Sequence, residues 1–101
     1  PPPQLTAYVS TKYALLGLMK SLAVELGNSG ITVNGISPSM TETPLLDNLP
    51  RKLKEIKSKQ NPLGRLAKPN DISSLVLFLC SKHCNYISGE NILITGAENM
   101  H

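Results

Sequence analysis

The order in which helical and β-branched patterns follow one another constrains this chain most. Leu15, Leu18, Met19, Leu22 and Leu26 recur at helical spacing within residues 5–28, and the Gly27, Asn28, Gly30 cluster is a stop signal. Ile31, Val33 and Ile36, with Thr32 between them, form a β-rich run that ends at Pro38, whose nitrogen cannot donate to a ladder. A second helix is expected from Pro69, which suits a first turn. Asp71 there suits the positive end of the helix dipole, and Ile72, Leu75, Val76, Leu79 and Cys80 make an apolar stripe. Tyr86 to Gly89 turns the chain into Asn91–Thr95, where Ile92, Leu93 and Ile94 are continuously apolar, as in a strand buried on both faces. Helix, strand, helix, strand is an α/β order, with parallel strands joined by a right-handed crossover. Two parallel strands do not make a stable sheet. The pattern therefore predicts part of a doubly wound parallel sheet that lacks its N-terminal strands, with residues 1–101 as the C-terminal portion of a single domain. The Pro-Pro-Pro opening, without Met, agrees with that expectation.

Apolar residues make up 41% of the chain and aromatics 4%, with no Trp, so the core has to be built from Leu, Ile and Val. The formal charge is only +3, and four Lys and one Arg of the ten basic residues fall between Arg51 and Lys59. Such a local surplus gives no reason to expect nucleic acid as a partner. This segment reads as a short helix within a Ser-, Thr- and Pro-rich loop, either a solvated face or a lid that attracts an acidic substrate. The longest apolar runs, such as Leu75 to Cys80, fall far short of a membrane span. Two Cys four residues apart and no leader segment point to a reducing compartment, the cytoplasm. Cys80, His83 and Cys84 offer three soft ligands, but without a fourth cluster no metal is expected, and Cys80 on the apolar stripe is expected to be buried.

In such a fold the helix starts near Tyr8 and Pro69 and the strand end near Ser37 share the carboxyl edge, where ligands bind. Tyr8 and Lys12 stand one turn apart, on the side of the helix that carries Leu15, Leu22 and Leu26. A cation about 4 Å from a phenol, at an effective dielectric near 20, is worth about 4 kcal/mol, or roughly three pKa units from a starting value of about 10. Tyr8 is thereby a candidate acid and base near neutral pH. The bland alternative is a ring that caps the core beside a lysine that snorkels to water.

Further landmarks follow in order. Tyr8-Val9-Ser10-Thr11-Lys12, a long helix and Asn34-Gly35-Ile36-Ser37-Pro38 resemble the carboxyl-terminal half of a short-chain dehydrogenase/reductase of the 3-oxoacyl-carrier-protein-reductase-like kind. Asn61-Pro62-Leu63-Gly64-Arg65-Leu66-Ala67-Lys68-Pro69 is similar to the family's P-L-G-R-x-x-x-P before its next helix. Tyr86-Ile87-Ser88-Gly89-Glu90-Asn91-Ile92 is similar to its Y-I-T-G-x-x-I entry to the last strand.

The resemblance implies a Rossmann-like fold and an NAD(P)-dependent oxidoreductase that passes a hydride between nicotinamide and a small carbonyl or secondary-alcohol substrate. Tyr8 would be the acid/base. Lys12 would support it and hold the nicotinamide ribose. Pro38, Ser39, Thr41 and Thr43 would match the P-G-x-x-x-T loop around NAD or NADP, and Ala14, Gly17 and Ser21 a subunit interface in a dimer or tetramer. Three places depart: Ser39 stands where the family usually has Gly, Thr41, more mildly, where it usually has a branched aliphatic residue, and Thr95-Gly96-Ala97 where it commonly closes with V-D-G-G. A Ser at position 39 would cost stability if that position needed a positive φ. The family's glycine-rich turn and catalytic Ser lie upstream of its Tyr, and only Pro1 to Ala7 precede Tyr8, so the isolated chain is expected to be inactive. The competing expectation is a non-catalytic α/β scaffold or assembly piece.

Overall fold

The computed structural model describes residues 5–39, 41 and 48–98. Its elements run α1 (Thr6–Leu26), a 3₁₀ turn (Gly27–Ser29), β1 (Gly35–Pro38), α2 (Arg51–Gln60), α3 (Pro69–Leu79) and β2 (Asn91–Ile94). The helices and strands fall in the order expected from the patterning. Two units can be distinguished, one of residues 1–35 and 85–91, the other of residues 36–84 and 92–101. All but the first residue of each strand belong to the second.

In the first unit, Ala, Leu, Lys and Met carry α1 with no side-chain cap, and the Val9 N–H starts the ladder by donating to the Leu5 carbonyl. The helix ends as its glycines predict. Gly30 takes φ +74°, and its N–H and that of Ile31 donate to the Gly27 and Leu26 carbonyls. Met19 is buried, with Leu16, Leu22, Ala23 and Leu26 half-buried around it, whereas Leu15 and Leu18 are exposed. Beyond α1, the Val33 N–H donates to Ser88 Oγ and the Asn34 amide to the Ile87 carbonyl, while the Gly89 and Glu90 N–H groups donate to the Val33 carbonyl and Asn34 Oδ1. Strand β1 therefore starts at Gly35, later than the expected run from Ile31. Residues 33 and 34 spend part of their hydrogen bonding on side-chain contacts outside a regular ladder.

The strands run parallel, because the Gly35 N–H donates to the Glu90 carbonyl and, further along, the Ser39 N–H donates to the Ile94 carbonyl. In the second unit, α2 begins after Pro50, and Lys57 and Lys59 in its last turn complement the helix dipole. Pro62 disfavours helical backbone at Asn61, which is extended (φ −74°, ψ 133°) and ends α2. Pro69 opens α3 as expected. The Asp71 carboxylate accepts from the Lys68 N–H at 2.7 Å while the Asp71 N–H donates to the Lys68 carbonyl.

Leu66, Cys84, Asn61 and Thr95 are the buried residues of the second unit, and no described side chain in either unit is fully enclosed. Three expectations fail here. Ile92, Leu93 and Ile94 are only half-buried, because the described residues do not cover both faces of β2. On α3 the covered spine is Ile72, Leu75 and Leu79, and Val76 is exposed. Cys80 is exposed while Cys84 is buried, since Cys80 follows the last turn of α3 and is not held on its covered face. Among the described residues, no helix is long and apolar enough to cross a membrane.

The chain leaves β2 in a tight turn in which the Glu98 N–H donates to the Thr95 carbonyl, with φ +60° at Gly96 and +71° at Ala97. Left-handed backbone suits glycine but crowds a Cβ. Ala97→Gly is therefore expected to stabilise the protein by about 0.5–1 kcal/mol in urea unfolding, the relief of strain exceeding the added flexibility of the unfolded chain. An unchanged or lowered unfolding free energy would count against strain at this position.

Candidate active site

Helical spacing sets Tyr8 and Lys12 on one face at the start of α1, in the first unit. Between them, Thr11 Oγ1 donates to the Ala7 carbonyl and so is turned back onto the helix. Lys12 Nζ lies 5.5 Å from the centroid of the Tyr8 ring, a cation–π contact on the ring face. Both side chains are exposed, Tyr8 by 58%. Lys12 has no carboxylate partner among the described residues. The arrangement presents a phenol hydroxyl and an ammonium, both open to solvent, from one turn of helix.

Pro38, Ser39 and Thr41 come together at the end of β1 in the second unit. The Ser39 N–H donates to the Ile94 carbonyl at 3.0 Å, Thr41 Oγ1 donates to the Ser39 carbonyl at 2.9 Å, and Thr41 pairs with Ala67 in a parallel bridge. Ser39 does not have a positive φ; among the described non-glycine residues only Ala97 does. The side chain at position 39 thus carries no left-handed strain. Thr43 lies outside the described residues. The structure groups Tyr8 with Lys12 and, separately, Pro38 with Ser39 and Thr41.

A cavity of about 180 Å³ opens beside this second group, lined by Ser39, Asn61, Arg65, Asp71, Ile94 and Gly96 among others. Asn61 is buried, and its side chain is fully engaged. Nδ2 donates to the Thr95 carbonyl at 2.9 Å and to Glu98 Oε2 at 3.2 Å, while Oδ1 accepts from the Leu63 N–H at 2.9 Å. In the sequence, Asn61 is the first residue of a landmark. The Asn-Pro pair signals a turn, but nothing local signals partners more than thirty residues away. No group of three or more His, Cys, Asp or Glu among the described residues is placed to hold a metal ion.

Comparison with known proteins settles the affiliation. The family described as enoyl-(acyl carrier protein) reductase matches residues 2–96. The chain belongs to the short-chain dehydrogenase/reductase family. Among its relatives, 3-oxoacyl-[acyl-carrier-protein] reductase FabG of Thermotoga maritima is 37% identical, covering 93% of this chain and 38% of that protein. The (2S)-[(R)-hydroxy(phenyl)methyl]succinyl-CoA dehydrogenase subunit BbsD of Thauera aromatica is 35% identical, over 94% of this chain and 38% of its own length. Acetoin dehydrogenase YohF of Salmonella typhimurium, a solved structure, superposes with a TM-score of 0.78 at 34% identity, over 95% of this chain and 36% of that one. The chain thus spans well under half the length of these relatives, which by name are reductases and dehydrogenases.

Within this short-chain dehydrogenase/reductase chain, the Arg65 of the P-L-G-R landmark has a definite task. Its guanidinium grips the Asp71 carboxylate with both ends, Nη1 to Oδ2 at 2.7 Å and Nη2 to Oδ1 at 3.1 Å, and Nη1 also donates to the Leu66 carbonyl. These bonds first, and the Lys68 N–H second, hold the Asp71 carboxyl down to about 2 from an ordinary 3.8. The charge of Arg65 on the cavity wall is thereby matched by a carboxylate. Because the folded pKa is the lower one, this stabilisation is complete above pH 3.8 and is lost as pH falls through about 2. Urea midpoints measured from pH 6 down to 2 should fall more steeply for the native protein than for Asp71→Asn, which lacks the titrating group. Parallel curves would contradict the assignment.

Proposed function

We propose that residues 1–101 form the C-terminal portion of one short-chain dehydrogenase/reductase domain, and that the complete domain is an NAD(P)-dependent oxidoreductase acting on a small carbonyl or secondary alcohol. The observation that carries this reading is Tyr8 and Lys12 on one face of α1, both polar ends open and Lys12 free of a carboxylate among the described residues. That donor set suits a nicotinamide dinucleotide, since a phenol and an ammonium one turn apart can share the vicinal hydroxyls of a ribose. The dinucleotide, when bound, supplies or takes up the hydride.

Tyr8 gives its phenolic proton to the substrate oxygen in reduction and takes a proton from the alcohol in oxidation. Lys12 would hold the ribose hydroxyls. Pro38, Ser39, Thr41 and Thr43 would contact the dinucleotide. Ser39 does so with its side chain, its N–H being committed to the Ile94 carbonyl, and Thr41 Oγ1 keeps its acceptor capacity after donating to the Ser39 carbonyl. The stretch from Thr43 to Asn61 selects the substrate. The names of relatives range from acyl-carrier-protein and coenzyme A derivatives to hydroxysteroids and diacetyl, which supports the broad class. The exposed small residues Ala14, Gly17 and Ser21 of α1 support assembly of the complete protein into a homo-oligomer, a dimer or tetramer.

Tyr8→Phe tests the assignment in the complete polypeptide. With NADH or NADPH and either diacetyl or a 3-oxoacyl thioester, kcat is expected to fall at least about 100-fold, while the circular dichroism spectrum and melting temperature stay unchanged. Undiminished turnover would leave the scaffold reading standing and remove Tyr8 from the chemistry.

A further inference from the structure

The loop that begins at Ser39 is held on two sides by different stretches of chain. One wall is the end of β2, where the Ile94 carbonyl accepts from the Ser39 N–H at 3.0 Å. The other is the segment before α3, where Ala67 pairs with Thr41. The spacing between those walls sets where Ser39 and Thr41 lie. One side chain joins them. Asn61 donates through Nδ2 to the Thr95 carbonyl, directly after Ile94, and to the Glu98 carboxylate, and it accepts through Oδ1 from the Leu63 N–H on the way to Ala67.

We propose that Asn61 is a positioning residue that fixes the backbone at Ser39 and Thr41 by tying together the two stretches with which they pair. The functional consequence, control of dinucleotide affinity, rests on the reading of that loop given above.

Three observations make an amide at this position necessary. The groups that face Nδ2 are both acceptors, a carbonyl and a carboxylate, so a carboxylate in place of the amide would repel them. The group that faces Oδ1 is a donor, so an apolar side chain would deprive the Leu63 N–H of this acceptor. The site has also been shaped to admit the amide. A Cβ at Gly96 would lie 2.5 Å from Asn61 Oδ1, so the turn after β2 can close only around a residue without a side chain. Pro62 completes the device by holding Asn61 in the extended conformation that it needs.

Asn61→Asp in the complete polypeptide is the test, with two readouts. Amide hydrogen exchange at Ser39 is expected to accelerate about tenfold while Met19 in α1 is unchanged, and the Kd for NADH or NADPH to rise about tenfold. Adding Glu98→Gln, whose amide can donate to the new carboxylate, should recover part of both losses. Unchanged exchange at Ser39 would overturn the proposal, and so would equal acceleration at Ser39 and Met19, which would mark a general loss of stability. Faster exchange at Ser39 with unchanged dinucleotide affinity would uphold the positioning role and count instead against the loop as a cofactor site. Should Asn61→Asp not fold, Glu98→Ala removes only one of the three bonds. It is expected to speed exchange at Ser39 about threefold, and no change would overturn the proposal.

Discussion

Parallel pairing of β1 with β2 at a constant offset of 55 residues is the constraint on which the remaining geometry depends. The same offset relates Val33 to Ser88, Gly35 to Glu90 and Ser39 to Ile94. A slip of one residue would turn every side chain of β1 to the opposite face. With the register held, Ser39 has to leave the sheet beside Ile94, and the turn at Thr95–Glu98 has to lie beside the cavity that Asn61 and Arg65 line. The candidate cofactor loop is thus placed first by backbone hydrogen bonding, and side chains refine it.

The apolar surface is distributed unlike that of a self-sufficient domain. Val24, Leu77 and Tyr13 are each more than two-thirds exposed, and no described side chain is fully enclosed. At about 25 cal/mol per Å² of apolar area, surface of this extent left in water is stabilisation forgone. Relatives two to three times as long share the matched region. We take the uncovered faces to be those that the rest of such a domain covers, which accords with the proposal that these residues are its C-terminal portion.

Much of this architecture was legible in the residues because local signals agreed with one another. Pro69 with Asp71, the glycines after Leu26 and the apolar run at Ile92–Ile94 each marked an element that is present. Tyr8 and Lys12 were legible for the same reason, since a four-residue spacing on a helix is a statement about geometry. What escaped the sequence was long-range or depended on cover. Val33 and Asn34 look like strand but bond outside a regular ladder, Cys80 sits on an apolar pattern yet is exposed, and Asn61 finds its partners at Thr95 and Glu98. The substitution of Ser for the family's usual Gly at position 39 looked costly, yet the backbone there is ordinary. Strain is found instead at Ala97, in the turn where the family commonly has Gly.

The central claim is that Lys12, at the open end of α1, holds a nicotinamide dinucleotide. Its most direct test is a fluorescence titration of NADH and NADPH with the complete polypeptide and with its Lys12→Met form. Saturable binding of at least one dinucleotide, weakened about tenfold or more by the substitution, is the result that the account predicts. Equal affinity in the two proteins, or no binding to either, would contradict it.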